Sequence, residues 1–341
     1  MTPAKAGGNA GTAAAVIPDF AALHPGYAAH LDHVAMLTCD EYLTPASLDE
    51  AFAAMDARRG RYRLIAGATD TYPWAREGRA GDVAIGTLID ISRIPELTER
   101  HVDETRVRLG AATPLQRFLD DPALARAMPC MPRCAVWFAD DQIRAQATIG
   151  GNVVNASPAA DGAPPLLAHD AEVELAARRD GRIVYRRMRL DQFVLGPGKT
   201  ALGTDEILVA FECTALPGYG GSFEKVGHRR SLVISLVCLA ALVKLDASRT
   251  RFADVRLAIA GICPQPQRLT AVENFLRGAE ISAARLEQAA AMPVDLVASR
   301  TRQAYRRDVV HGFVMRGLIN AAQRAGAAPG LLATGMEAAY A

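Results

Sequence analysis

The internal stretch from residue 147 to 167, ATIGGNVVNASPAADGAPPLL, constrains the fold of this chain more than any other segment. It is the internal region densest in small and turn-forming residues, and therefore the one least suited to core packing. Glycine, proline, asparagine and serine at this density interrupt helices and strands, because they favour turn conformations. We therefore expect a loop here, with regular secondary structure on both sides.

The segments before this loop predict a mixture of helices and strands. Residues 47–60, SLDEAFAAMDARRG, predict a helix, because Ser47 and Glu50 fit a capping box and the apolar residues share one face. A strand (RYRLIAG), a short helix and a second strand (DVAIGTLIDIS) follow. Further on we expect a strand in RVRLGAA, a helix after Pro114 and a longer helix through residues 123–138.

A β-hairpin is predicted directly after the loop. Its strands are AEVELAA and RIVYRRM, and Asp180-Gly181 forms the turn between them. EILVAFEC then supplies another strand. The turn-rich segment LPGYGGS that follows is the best candidate for a domain boundary.

The last third of the chain predicts strands first and helices afterwards. FEKVG, residues 232–243 and VRLAIAGI predict an antiparallel sheet. Helices that begin near Thr270, Ser282 and Ser299 would cover one face of it, with Glu273 as the capping partner of Thr270. Strands followed by helices indicate an α+β fold.

Charge and apolar patterning argue against two classes of function. The 38 basic and 37 acidic residues leave a formal net charge of +1, so no overall field would hold the chain on a nucleic acid or an anionic membrane. The longest apolar run, residues 232–243, is about half of the roughly 20 residues that a membrane-spanning helix needs. Residues 1–33 show no secretion-signal pattern and predict a flexible extension. We therefore expect a cytoplasmic protein without a membrane span and without a nucleic-acid partner.

The cysteines do not predict a metal site. The six cysteines include no C-x-x-C pair and are too scattered for an iron–sulfur cluster or a structural zinc ion. We interpret them as reduced thiols and expect no metal bound to this chain.

Two familiar phosphate-binding motifs fail on their spacing. GPGKT, residues 196–200, has a lysine and a threonine after glycine, but Phe193 stands where a P-loop needs its first glycine. Pro197 also removes a backbone N–H donor from the loop. No G-x-G-x-x-G follows the first strand, so a Rossmann dinucleotide site has no support.

Two other loops carry a stronger signal, AGATD at residues 66–70 and TIGGN at residues 148–152. Small residues let backbone N–H groups approach phosphate oxygens, and the start of a helix adds a favourable dipole. Either loop alone is better explained as an ordinary tight turn. Together with Asn155, Ser157 and Asp161, the two loops predict a cradle for a pyrophosphate group.

Several of these segments resemble one known family. RLIAGATD with DISRIPEL, QIRAQATIGGNVVNASPAAD, GPGKTAL, DEIL, FEKVGHRR and YRRDVV are similar to segments of the FAD-binding medium subunit of the xanthine dehydrogenase family of molybdenum hydroxylases, which includes the carbon monoxide dehydrogenase flavoprotein subunit. The resemblance runs from about residue 36 to residue 325 and is most specific in ATIGGNVVNASPAAD. It implies a two-lobed FAD-binding domain of the vanillyl-alcohol-oxidase (PCMH) type and a smaller C-terminal α+β domain, an antiparallel sheet covered by helices.

The resemblance also implies a division of the chain. We expect an extension at residues 1–33, an FAD-binding domain at 34–218 with lobes at about 34–95 and 96–218, a C-terminal domain at 219–325 and a tail at 326–341.

The same resemblance implies the residues that bind FAD. The first loop comprises Leu64, Ile65, Ala66, Gly67, Ala68, Thr69 and Asp70, and the second comprises Ala147, Thr148, Ile149, Gly150, Gly151 and Asn152. Ser157 and Asp161 would lie along the ribityl and phosphate chain, Phe138 would stack on the flavin, Leu208 would form an apolar wall, and Lys225 would lie near the isoalloxazine ring.

Three of these positions carry an open alternative. Phe138 can also be explained as an ordinary core aromatic, and Lys225 as a solvated charge at the end of a strand. Ala68 replaces the usual second glycine of the first loop, which is tolerable if its φ angle is negative and costly if that angle is positive.

In such a subunit the flavin carries the chemistry, so no catalytic side chain is expected. The resemblance implies a large partner subunit with molybdopterin and a small one with two 2Fe-2S clusters, assembled as a dimer of heterotrimers. Electrons would reach FAD on this chain and pass to NAD+, oxygen, a quinone or another acceptor. Two alternatives stay open: a self-sufficient FAD oxidoreductase of related fold, and a flavin-free scaffold subunit.

Overall fold

A computed structural model describes residues 37–77, 83–229, 233–298, 301–328 and 330. The expectations for residues 1–33 and for a helix start at Ser299 lie outside these ranges. The described strands form three main sheets and one short hairpin, interleaved with helices, which confirms the α+β class. No helix in these ranges is both long enough and apolar enough to cross a membrane.

The first sheet is small and parallel. It contains β1 (Thr38–Leu43), β2 (Tyr62–Ile65) and β3 (Ala84–Asp90) in the order β1-β3-β2. The helices α1 (Leu48–Ala57) and α2 (Thr71–Arg76) connect its strands, and α3 (Pro95–Thr98) follows β3 and packs on the second sheet. Parallel strands end at the same edge of a sheet, where ligands commonly bind in open α/β structures. The first predicted FAD loop begins at this edge, directly after β2.

Helix α1 begins as its sequence predicts. The Ser47 hydroxyl accepts a hydrogen bond from the backbone N–H of Glu50 at 3.2 Å, which confirms the predicted cap. The Glu50 carboxylate accepts from the N–H of Ala46 at 2.8 Å, one residue earlier than a standard capping box. The apolar face of α1 packs in a buried cluster together with residues of the second sheet, including Ile207 and Val209. This cluster joins the two lobes of the N-terminal part.

The second sheet is antiparallel and has five strands. In spatial order these are β4 (Arg100–Val102), β5 (Arg106–Gly110), β10 (Glu206–Thr214), β6 (Glu172–Arg179) and β7 (Arg182–Arg189). Asp180 and Gly181 between β6 and β7 have φ angles of 49° and 75°. Positive φ at both positions is what a tight two-residue hairpin needs, so the predicted hairpin is confirmed.

Short helices fill the connections of this sheet. They are α4 (Arg117–Asp120), α5 (Pro122–Ala127), α6 (Met131–Trp137), α7 (Asp141–Gln146), α8 (Ile149–Val154), α9 (Ala163–Ala168) and α10 (Leu190–Phe193), followed by the hairpin of β8 (Val194–Gly196) and β9 (Lys199–Thr200). The loop expected at residues 147–167 was wrong, because α8 and α9 occupy most of this stretch and Leu166 and Leu167 are buried in the large core. The predicted longer helix through residues 123–138 was also wrong: it is broken between α5 and α6. Pro129 lies in the gap and Pro132 in the first turn of α6, and proline cannot continue a helix because it has no N–H donor.

The third sheet confirms the predicted antiparallel arrangement. It contains β11 (Gly220–Val226), β12 (Val237–Leu245), β13 (Phe252–Ala260) and β14 (Gln267–Arg268), covered by α11 (Thr270–Leu276), α12 (Ala283–Ala291), a 3₁₀ turn (Val294–Leu296) and α13 (Gln303–Arg324). Thr270 does not cap α11, since no side chain caps that helix. The Glu273 carboxylate instead accepts from the N–H of Leu257 at 2.8 Å and pairs with Arg268 at 2.6 Å.

Strand β12 is buried on both faces. Cys238, Ala240 and Leu242 pack into the large core under the second sheet, whereas Leu239 and Ala241 pack into the core beneath α11 to α13. A strand covered on both sides reads as a continuous apolar run, which explains the sequence of residues 237–243. The third sheet is therefore the layer between the two cores.

Candidate functional site

The first predicted FAD loop presents backbone donors that the chain itself does not use. Within the described ranges, the N–H groups of residues 66–69 donate to no acceptor of the protein. A run of free N–H groups between a strand end and a helix start is a favourable place for an anion. The loop, which runs from β2 to α2, therefore fits a diphosphate group.

The sign of the φ angle at Ala68, which the sequence left open, is positive. Its φ angle is 54°, in the left-handed region where an alanine costs about 1–2 kcal/mol relative to the right-handed form. Its methyl group packs on a small cluster that includes Ile65, Ile85 and Leu88. The loop therefore keeps the glycine-like backbone conformation without the glycine.

The second loop uses its donors internally. The N–H groups of Ile149 and Gly150 donate to the carbonyls of Thr113 and Ala111 at 3.0 and 2.8 Å. The hydroxyl of Thr148 accepts from the N–H of Gly151 at 3.0 Å and caps α8. Gly150 packs so closely that a Cβ there would lie 2.5 Å from the oxygen of Ala111.

Gly151 and Asn152 face different surroundings from Gly150. Gly151 is exposed, and a Cβ there would come within 4 Å of one atom only, the Thr148 hydroxyl oxygen at 3.0 Å. The Asn152 side-chain oxygen accepts from the N–H of Gly162 at 3.1 Å, so this residue ties α8 to the start of α9. The open surface of the second loop is therefore centred on Gly151.

The structure brings the two loops into contact. A Cβ at Gly67 would lie 2.0 Å from the carbonyl oxygen of Gln146, the residue before the second loop. The Asn155 amide also donates to the carboxylate of Asp70 at 3.0 Å. Asn155 belongs to the polar set predicted around the loops, but no local pattern predicts this contact, because Asp70 is 85 residues away in the chain.

Lys225 reaches the same region from the third sheet. Its ammonium pairs with the Asp161 carboxylate at 2.6 Å and donates to the carbonyl oxygen of Trp137 at 3.1 Å. The hydroxyl of Ser235 donates to the second Asp161 oxygen at 2.5 Å. The Lys225 side chain is only 5% exposed, which rules out the alternative of a solvated strand-end charge.

Two cysteines border this ion pair. The thiol of Cys134 donates to the backbone carbonyl of Asp161 at 3.3 Å. Burial raises the pKa of both Cys134 and Cys238 well above the ordinary range, with a further contribution from the negative charge of Asp161. These thiols are therefore neutral apolar neighbours of the pair. The described residues contain no group of three or more metal-ligating side chains.

The other predicted site residues lie in different parts of the fold and differ in burial. Phe138 follows α6, is half-buried and packs on the edge of the large core. Leu208 lies in β10 beside a bulge and is 5% exposed. The Ser157 hydroxyl accepts from the N–H of Ala159 at 3.3 Å. The Gly198 N–H of the GPGKT hairpin donates to the carbonyl of Ala156, so this hairpin rests on the segment between the second loop and Asp161.

The fold combines a two-lobed N-terminal part with a C-terminal sheet, and its two loops fit a nucleotide cofactor. Residues 35–213 match the family model described as FAD binding domain in molybdopterin dehydrogenase, and residues 222–321 match the CO dehydrogenase flavoprotein C-terminal domain. The chain therefore belongs to the family of FAD-binding domains of molybdopterin dehydrogenases, and its cofactor is FAD.

Individual relatives agree with this assignment. The chain is 33% identical over 217 residues to the xanthine dehydrogenase FAD-binding subunit of Escherichia coli O157:H7, covering 63% of this chain and 72% of that protein. It is 29% identical to the nicotine 6-hydroxylase medium subunit of Paenarthrobacter nicotinovorans, covering 83% and 97%. A solved structure of carbon monoxide dehydrogenase from Hydrogenophaga pseudoflava superimposes with a TM-score of 0.76 at 26% identity, covering 85% of this chain and 99% of that one.

Proposed function

We propose that this chain is the electron-transfer subunit of a three-subunit molybdenum hydroxylase. It accepts electrons from the 2Fe-2S clusters of a small partner subunit and passes them to an external acceptor, while a large partner subunit holds the molybdopterin cofactor. The observation that carries this proposal is the convergence of the two loops with the Lys225–Asp161 pair, which draws one site from all three sheets. The names of several relatives, which are medium subunits or medium chains, support the presence of partners.

In this proposal each part of the site has a separate task. FAD, when bound, supplies reversible uptake of two electrons. The free N–H groups of residues 66–69 bind the diphosphate, while Gly151 lets it approach α8 and Asn152 holds that helix against Gly162. Phe138 and Leu208 flank the ring system and exclude water from it.

Lys225 supplies the local charge in this proposal. Its ammonium is close to neutralised by Asp161, so the pair places a dipole beside the flavin site rather than an isolated positive charge. Ser235 fixes the orientation of the carboxylate from the far side. The position of the Lys225 cation is therefore set by Asp161, whose carboxylate is in turn held by Ser235.

Purification of the affinity-tagged chain from its native cells tests the proposal. We expect two further chains to co-purify, one with iron and one with molybdenum, in equal amounts with this chain and assembled as a dimer of heterotrimers. Recovery of the chain alone, with FAD and with turnover of a substrate, would identify a self-sufficient oxidoreductase instead. Recovery with both partners but without flavin would identify a scaffold subunit.

The mode of FAD binding is tested by acid precipitation of the purified chain. We expect non-covalent binding at one site per chain, so the yellow flavin should remain in the supernatant. Colour that stays with the precipitated protein would contradict non-covalent binding.

The role of Lys225 is tested by the midpoint potential of fully loaded protein. Lys225→Met leaves the Asp161 carboxylate without its cation beside the flavin site, which disfavours the negatively charged reduced flavin, so the potential should fall by tens of millivolts, since about 30 mV corresponds to 1.4 kcal/mol for two electrons. The same change leaves Asp161 buried without its cation, which should destabilise the fold by about 3–5 kcal/mol. The matched control is Lys225→Met with Asp161→Asn, which restores local neutrality and should recover most of both losses. An unchanged potential in loaded, folded Lys225→Met would remove Lys225 from the electronic role.

A further inference from the structure

Arg144 in α7 is a buried arginine that the proposed FAD site leaves without a role. Arg144 is 8% exposed, and its guanidinium contacts three separate parts of the chain. It donates to the carbonyl oxygen of Phe138 at 3.1 Å and to the side-chain oxygen of Gln116 at 3.3 Å, and it pairs with Asp141. Arg144 lies in the segment QIRAQATIGGN that resembles the family, but the resemblance assigns no role to this side chain.

The contact with Phe138 lies at the end of a helix. Phe138 is the residue that ends α6, where carbonyl groups lack partners within the helix and a cation is favoured by the helix dipole. The next residue, Ala139, has a φ angle of 46°, so the chain turns sharply between α6 and α7. The guanidinium therefore holds the peptide at the point where the direction of the chain, and with it the direction of the Phe138 side chain, is set.

Arg144 is also tied to the second loop. Its own carbonyl accepts from the N–H of Gln116 at 3.0 Å, and the N–H of Leu115 donates to the carbonyl of Ala147 at 2.9 Å. Helix α7 ends at Gln146, whose carbonyl oxygen is the atom against which Gly67 packs. One short helix thus links the aromatic position to both loops.

We propose that Arg144 is a positioning residue, which fixes the Phe138 ring relative to the two loops by holding the Phe138 carbonyl against α7. The inference rests on the proposed stacking role of Phe138 and goes beyond it. A planar guanidinium presents its donors in a rigid fork that holds the Phe138 and Gln116 oxygens together, whereas a lysine ammonium at this position keeps the charge without that fork. Loss of the ion pair with Asp141 should have little effect in the test, because the Asp141 side chain is 92% exposed and stays solvated without its partner.

The test is a double-mutant cycle on FAD binding to the flavin-free chain. Phe138→Ala and Arg144→Met should each weaken FAD binding by about fivefold to tenfold, the range expected when one well-placed aromatic contact is lost. The double variant should bind no more weakly than Phe138→Ala alone, because both changes remove the same contact. Circular dichroism in the visible flavin band should change in the same way for both single variants.

Two further variants separate positioning from a purely structural role. Arg144→Lys should lose less affinity than Arg144→Met, and none in the Phe138→Ala background. Arg117→Met is the matched control, because Arg117 is exposed on the neighbouring α4 and its guanidinium makes no hydrogen bond or ion pair within the described residues. This control should bind FAD like the unmodified chain.

Three results would overturn the inference while leaving the FAD site intact. The first is that Arg144→Met binds FAD as tightly as Arg117→Met. The second is that the double variant loses FAD affinity by the product of the two single losses. The third is that the visible flavin spectrum changes in Phe138→Ala but not in the Arg144 variants. If Arg144→Met does not fold, the same criteria apply to Arg144→Lys. Failure of the unmodified chain to bind FAD would instead overturn the proposed function.

Discussion

The two loops of the candidate site have similar compositions and opposite hydrogen-bonding states. Residues 66–69 leave their N–H groups without acceptors in the described structure, whereas Ile149, Gly150 and Gly151 all donate within the chain. The difference lies in the neighbours, since β2 ends at an open edge while the second loop lies on the carbonyls that follow β5. Small residues therefore let another group come close to the backbone N–H donors. The neighbouring backbone decides whether that group is a ligand or a carbonyl of the protein itself.

Among variants of the two loops, the largest effect is expected where the loops touch each other. Gly67→Ala would place a Cβ 2.0 Å from the Gln146 oxygen, an overlap with backbone that cannot rotate away. We expect a loss of about 3 kcal/mol of unfolding free energy, measured in urea, together with loss of FAD. Stability within about 0.5 kcal/mol of the unmodified chain would show that the loops separate freely.

A somewhat smaller loss is expected inside the second loop. Gly150→Ala would place a Cβ 2.5 Å from the Ala111 oxygen and 2.7 Å from the Ala111 side chain. Because the overlap is smaller than at Gly67, we expect a loss of about 2 kcal/mol. The matched control is Gly151→Ala in the same helix, where alanine should be neutral or slightly stabilising. Equal destabilisation of both variants would contradict the packing of Gly150 on Ala111.

The next variant separates ligand binding from folding. Gly151→Val places a branched side chain on the exposed surface of the second loop, so FAD should be retained at least tenfold less well while the unfolding free energy changes by less than about 1 kcal/mol. Asn152→Ala loses its hydrogen bond to Gly162 and should cost about 0.5–1.5 kcal/mol, with weaker FAD retention as a consequence. Cys130→Ala is the control for a buried residue away from the loops and should retain FAD. Equal flavin loss from all three variants at equal thermal stability would argue against the loop assignment.

The smallest effect concerns the left-handed alanine of the first loop. Ala68→Gly removes the strain of about 1–2 kcal/mol but adds about 0.4–1 kcal/mol of unfolded-chain entropy and loses a methyl contact. We expect a net gain of about 0.5 kcal/mol in unfolding free energy, with FAD affinity unchanged. A clear loss of stability would mean that the methyl group packs more strongly than the strain costs.

Local signals in the sequence predicted the elements that depend on neighbouring residues. The cap of α1 at Ser47 and the Asp180-Gly181 hairpin are confirmed, because each is decided within a few residues. The helix expected through residues 123–138 failed on information also present in the sequence, since Pro129 and Pro132 interrupt it. Glu273 failed for a different reason: its partners, Leu257 and Arg268, lie on neighbouring strands and outweigh a local cap.

For the candidate site, the sequence predicts which residues take part but not which of them contact each other. The glycines and the polar residues around them could be located from the sequence, and the resemblance placed Lys225 near them. The Lys225–Asp161 pair spans 64 residues and the Asn155–Asp70 contact spans 85, so neither has a local signal. The free donors of the first loop follow from an open sheet edge, which only the strand order β1-β3-β2 reveals.

Strand β12, buried on both faces, determines how the molecule must come apart. Because Cys238 and Leu242 complete one core while Leu239 and Ala241 complete the other, neither core can melt without exposing apolar surface of the second. The two matched family segments should therefore denature as one cooperative unit, with a single calorimetric transition whose enthalpy agrees with the van't Hoff value. A chain cut before Gly220 would leave the large core open along one side and should be prone to aggregation rather than independently stable.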